Sequence, residues 1–92
     1  MIKQPRSDVG EEILLAAMAN PRRLAILRVL RDGEISAGEL GRKVTLSQSA
    51  ASQHLSKLRE AGLVDTRRDK QIVYYSFISP KAKEILRVLD DY

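Results

Sequence analysis

The 92-residue chain has no cysteine, no tryptophan and a single histidine. Without thiols there are no disulfides, no thiolate metal sites and no cysteine nucleophile. One histidine, no glycine-rich phosphate loop and no converging pair of acids leave nothing on which an enzyme active site would be built. The longest apolar run, ILLAAMA, is far shorter than the roughly 20 residues a membrane-spanning helix needs. It follows Glu11 and Glu12, the wrong flank for a signal peptide. A cytoplasmic protein without a membrane partner, cofactor or metal is therefore expected. No repeat, low-complexity tract or Pro/Gly/Ser-rich linker divides the chain. Residues 1–7, with Pro5, read as a flexible N-terminus and residues 8–92 as one domain with a modest core. A chain this short often gains stability by dimerising.

What the chain does have is an uneven positive charge. Lys and Arg number 16 against 12 Asp and Glu, a net charge of +4. Residues 1–35 hold six cations and five anions, residues 72–92 three of each, and residues 36–71 seven and four. Most of the excess thus sits in the middle of the chain, which suits a polyanionic partner.

Helical periodicity starts at Asp8, with Val9, Ile13 and Ala17 on one stripe. Leu14, Leu15 and Met18 extend the apolar surface around most of the cylinder, so this helix must be covered on more than one side. In a chain this small, a partner subunit is the expected cover. In NPRRLAILRVLRDG, Asn20 is a good N-cap, Pro21 sits at the first helical position and Gly33 marks the stop. Ile26, Leu27 and Leu30 face inward, Arg28 and Arg31 outward. Arg22 and Arg23 lie at the positive end of the helix dipole. Neutralisation by Glu11 or Glu12 is the commoner outcome for such residues, and contact with a phosphate is the alternative. SAGELGRKV is a short third helix, with Ser36 and Glu39 at capping-box spacing. Its inner stripe is Ala37, Leu40, Gly41 and Val44, small enough in part to admit another helix closely.

The stretch TLSQSAASQHLSKLREAGLV raises a different question, because Ser, Gln and His are mediocre helix formers. Ser47 caps a fourth helix over residues 48–61, and Gly62 stops it. At 100° per residue, Ala51, Leu55 and Leu58 define its inner face. Ser49, Ser52, Gln53 and Ser56 lie outward, with Gln48 and Arg59 flanking them and His54 at the other margin. This is a row of short hydrogen-bonding side chains, nearly free of acid until Glu60. Gln reads adenine through two hydrogen bonds and Ser donates or accepts, so the face suits base edges in a major groove. His54 has two open readings: it packs at the helix margin with one nitrogen hydrogen-bonded, or it contacts a phosphate or base.

After Gly62 the period becomes two. Residues 63–68 and 71–78 read as a β-hairpin whose tip, Arg67, Arg68, Asp69, Lys70 and Gln71, is basic. Lys70 at the turn implies a left-handed residue or a longer loop, because glycine is the usual occupant there. Of Tyr74 and Tyr75, one should face the core. Ser79 and Pro80 open a last helix with Ala82, Ile85, Leu86, Leu89 and Tyr92 on its apolar side.

The expected architecture is mainly α with a β-hairpin wing, in the order ααααββα. With the motifs MANPRRLAILRVL, LSQSAASQHLSKLREAGLV and RRDKQIVYYSF, the chain resembles the ArsR/SmtB family of bacterial winged helix-turn-helix repressors over about residues 11–90. It is most similar to the branch of nodulation, virulence and biofilm regulators. The resemblance implies a homodimer built by the first and last helices, here Ile13, Leu14, Ala17, Met18, Ile85, Leu86, Leu89 and Tyr92. It implies double-stranded DNA as the partner, with the fourth helix in the major groove, the wing tip at the adjacent backbone or minor groove, and repression by blocking polymerase. The DNA-contacting set is then Ser47, Gln48, Ser49, Ser52, Gln53, His54, Ser56, Arg67, Arg68 and Lys70.

The family's sensing chemistry does not carry over. Where its metal and arsenic sensors have thiolates, EISAGELG has Ser36 and Gly38. The last helix offers Glu84, Asp90 and Asp91 but no imidazole, a poor set for a transition metal. Two alternatives to a sequence-specific regulator are a winged helix used for protein–protein contact and an architectural binder without sequence preference. The first calls for acidic or large apolar residues on the outer face, the second for more Lys and Arg than it has.

Overall fold

The computed structural model describes residues 10–91. The expectations for residues 1–7, for Asp8 and Val9, and for the Tyr92 side chain lie outside them. Five helices and three strands follow in the order α1 (Glu11–Met18), α2 (Pro21–Arg31), β1 (Ile35–Ser36), α3 (Ala37–Lys43), α4 (Gln48–Glu60), β2 (Val64–Asp69), β3 (Ile72–Phe77) and α5 (Pro80–Asp91). This is a winged helix with one strand more than the hairpin alone. β1 pairs antiparallel with β3, Ile35 opposite Tyr75 and Ser36 opposite Tyr74, which makes β3 the centre of the sheet.

The helix ends follow from local chemistry. The Asn20 side chain accepts hydrogen bonds from the backbone N–H groups of Arg22 and Arg23, at 2.9 and 3.1 Å. Ser36 accepts from Glu39 N at 3.3 Å and Ser47 from Ala50 N at 3.1 Å. Each cap satisfies an amide the helix itself leaves unpaired. Gly62, at φ +79°, ends α4 in a conformation a side chain would disfavour. Two other residues take that conformation without being glycine: Thr45, at φ 56° between α3 and α4, and Lys70, at φ 60° in the hairpin turn. The tip is thus a tight two-residue turn with a left-handed lysine. Thr45 is β-branched, so its strain is greater.

The core gathers one stripe from each helix. Ile26, Leu27, Leu40, Leu58, Leu63 and Leu86 are fully buried, and Leu14, Met18, Leu30, Leu55, Val64 and Phe77 pack with them. Tyr75 packs against this cluster from the inner face of β3, and Tyr74 lies on the outer face. The close helix approach expected at Gly41 is not made: a Cβ there would sit 3.8 Å from Leu46 O, an ordinary contact. α5 is fastened to α2 by Asp90, whose carboxylate accepts from Arg28 at 2.9 Å and Arg31 at 2.8 Å. These two guanidinium groups hold the Asp90 carboxyl below the usual aspartate range.

Four of the expected interface residues belong to this core instead. Leu14, Ala17, Met18 and Leu86 are buried within the single chain, so they have almost no surface left for a partner. α1 is short and its inner stripe is consumed by α2 and α4. Ile13 and Leu89 are half exposed, at 48% and 51%, and Ile85 is partly buried. Leu15 on α1 and Val88 on α5 are exposed as well. In sequence Leu15 reads only as extra apolar surface, and Val88 carries no signal of its own beyond the helical stripe of α5.

Candidate nucleic-acid interface

α4 presents three strips of side chains. Ala51, Leu55 and Leu58 are buried and fix its rotation against the core. Ser49, Gln53 and Ser56 point away from the core and are exposed. Gln48 and Ser52 are exposed on the flank facing α3, where they line a hollow of about 320 Å³ with Arg42, Leu46 and Tyr75. Arg42 is a further cation beside α4. Its position in the last turn of α3 reads as a helix-dipole partner until α3 and α4 are placed side by side. The Ser47 hydroxyl accepts from Ala50 N as the cap of α4, which leaves its proton and one lone pair to offer.

His54 occupies the opposite flank of α4 and is partly buried. Its Nδ1 lies 3.4 Å from the Arg23 guanidinium. Arg23 in turn donates to Ala17 O at 2.7 Å and Ala16 O at 3.4 Å, capping the C-terminal carbonyls of α1. The expected neutralisation of Arg22 and Arg23 by Glu11 or Glu12 is not among the ion pairs of the described residues, and Glu11 pairs with Lys81 at 3.1 Å. Arg23 is drawn to backbone carbonyls at the negative end of α1, which its own position at the start of α2 places within reach. Burial, then the charges of Arg23 and Arg22, push the His54 imidazole below its ordinary value.

The wing divides its cations between two faces. Side chains alternate along a strand, so Arg68, opposite Val73, lies on the core side, and Arg67, opposite Tyr74, on the outer side. Arg67 donates to both Glu34 carboxylate oxygens, at 2.8 and 2.9 Å, and lies 4.5 Å over the Tyr74 ring. This pair holds Glu34 below the usual glutamate range. Arg67, expected among the DNA contacts, is thus engaged by a carboxylate on the outer side of the sheet. Arg68 and Lys70 remain exposed near the tip, and no ion pair among the described residues engages them.

Among the described residues, no three His, Asp or Glu side chains come together where a metal could be held. No helix among them is long and apolar enough to cross a membrane.

A family model described as bacterial regulatory protein, arsR family, matches residues 20–66. The chain is 52% identical over 77 residues to the Vibrio cholerae transcriptional activator HlyU, covering 84% of this chain and 71% of that one. It is 57% identical over 77 residues to the Rhizobium meliloti nodulation protein NolR, covering 84% and 63%. It is 43% identical over 77 residues to the Agrobacterium fabrum biofilm growth-associated repressor, covering 84% and 66%. The matched part thus spans about two thirds of these relatives. The crystal structure of NolR from Sinorhizobium fredii superimposes with a TM-score of 0.82 at 47% identity, covering 97% of this chain and 95% of that one. The solution structure of a homodimeric winged helix-turn-helix DNA-binding domain from Mycobacterium bovis gives a TM-score of 0.79 at 28% identity, covering 86% and 73%.

Proposed function

The chain belongs to the ArsR family of bacterial regulatory proteins, DNA-binding winged-helix transcriptional regulators, and on that footing we propose that it is a dimeric, sequence-specific repressor. The observation that carries the reading is the outer face of α4. Ser49, Gln53 and Ser56 stand exposed on a helix whose opposite side is locked into the core. Short polar side chains let a helix sit deep in a major groove and meet base edges there. Arg68 and Lys70 supply phosphate contacts from the wing, and Arg42 adds a third cation beside the first turn of α4.

The dimer rests on apolar surface that the single chain leaves open. Ile13, Leu15, Val88 and Leu89 are exposed on the two end helices. The Mycobacterium bovis neighbour is described as homodimeric. A two-fold dimer places two copies of α4 in successive major grooves, so the operator is a (pseudo)palindrome with half-sites about 10 bp, or a multiple of it, apart.

Repression follows from occupancy, since a dimer seated on a promoter excludes polymerase. Of the relatives, the Agrobacterium protein bears the name repressor and the Vibrio protein the name activator. Transcription in vitro from a promoter that the protein binds decides the direction. Falling transcript with rising protein is expected, and rising transcript would make the protein an activator. Sedimentation of the complex should show two chains per duplex.

A further inference from the structure

The contact between Arg23 and His54 joins three helices at the margin of the proposed reading face. An arginine carries donors only. A hydrogen bond between its guanidinium and His54 Nδ1 therefore makes Nδ1 the acceptor, and the proton of the neutral ring then sits on Nε2. With Nδ1 turned toward the Arg23 guanidinium, Nε2, the other ring nitrogen across Cε1, takes part in no hydrogen bond among the described residues. Arg23 is itself fixed by the carbonyls of Ala17 and Ala16, so the ring is set against an anchored group.

From this geometry we infer that Arg23 is a positioning residue that holds His54 as a neutral Nε2–H donor toward a hydrogen-bond acceptor on the DNA. The inference rests on the proposed DNA-binding function and deepens it. It gives the reading helix a third kind of contact besides its Ser and Gln side chains, with orientation supplied from another helix. Burial and the nearby Arg23 and Arg22 charges disfavour the imidazolium, which agrees with a ring that acts uncharged. The 3.4 Å separation lies at the long end of the hydrogen-bond range.

The test uses the full chain and an operator selected with the wild-type protein. Histidine at position 54 is replaced by alanine, glutamine and asparagine. A glutamine amide lies near the place of Nε2 and an asparagine amide near that of Nδ1. His54→Ala and His54→Asn should each weaken operator binding about tenfold, and His54→Gln by less than about threefold. A loss confined to the operator assigns the acceptor to a base edge, and an equal loss on random DNA assigns it to a phosphate. Undiminished binding by His54→Ala, or retention by Asn with loss by Gln, overturns the inference while the wild type still binds its site.

A double-mutant cycle separates positioning from mere structural support. Arg23→Met should weaken binding about tenfold in the wild-type background and less than about twofold when combined with His54→Ala. Equal losses in both backgrounds would mean that Arg23 acts only as the cap of α1. Failure of the wild type to select any site would instead overturn the DNA-binding reading itself.

Discussion

The Arg67 guanidinium is held by the Glu34 carboxylate through two hydrogen bonds, 2.8 and 2.9 Å long, on the side of the wing away from Arg68. Arg67 ties the hairpin to the loop before β1, whereas in the proposed function Arg68 is the one that meets a phosphate. Arg68→Ala should weaken operator and random DNA alike and make the salt dependence shallower by about one unit of slope. Arg67→Ala should leave that slope unchanged. Binding titrations across salt concentrations check both, and a slope altered only by Arg67→Ala would reverse the assignment.

Gln53 stands at the centre of the exposed face of α4. Gln53→Ala should weaken operator binding by about 1–3 kcal/mol and relax one symmetric pair of operator positions, with little effect on random DNA. Competition between operator and random duplexes measures the difference. Equal losses on both would remove Gln53 from base reading.

Two leucines three residues apart on α5 separate the core from the proposed interface. Leu86→Ala empties a fully buried site and should cost about 2–5 kcal/mol of stability. Leu89→Glu places a charge on exposed apolar surface and should yield folded monomers. Sedimentation equilibrium with circular dichroism distinguishes the outcomes, and a dimer that survives Leu89→Glu would move the interface elsewhere.

Much of this was legible in the sequence. The helix caps at Asn20, Ser36 and Ser47, the stop at Gly62 and the period-two hairpin are local signals, and each appears where the residues placed it. What stayed hidden depends on contacts between distant segments. Ile35 and Ser36 form a strand only because β3 offers them an edge. Leu14, Ala17, Met18 and Leu86 look like interface candidates until the helices pack and consume them. Arg67 looks like its neighbours until Glu34, 33 residues earlier, lies beneath it. Arg23 found the carbonyls of α1 rather than an acid, because the short loop after Met18 brings them close.

Acid should weaken the fold in two stages. Glu34, Glu84 and Asp90 are each held below their ordinary values by arginine partners. Their contribution is present above those ordinary values and is lost as pH falls through the depressed ones. His54 is also depressed, so the unfolded chain takes up that proton first. Stability should therefore begin to fall as pH drops below the ordinary histidine value of 6.5. Urea unfolding at stepped pH should show both declines, with His54→Gln abolishing the first and Asp90→Asn shrinking the second. Stability that rises on acidification would contradict both signs.

Thr45 holds a left-handed backbone in the turn that sets α3 against α4. Thr45→Gly should raise stability by about 1 kcal/mol, because a β-branched residue is strained there. Thermal unfolding of the pair measures it, and a lower melting temperature would show that the threonine side chain earns its place by another contact.

The most direct measurement is selection of bound sequences from a random duplex pool by the purified protein at near-physiological salt. The account predicts enrichment of a two-fold symmetric site with its half-sites about 10 bp, or a multiple of that, apart. Retention of duplexes without an enriched motif would contradict it, and would leave a protein that holds DNA by charge alone.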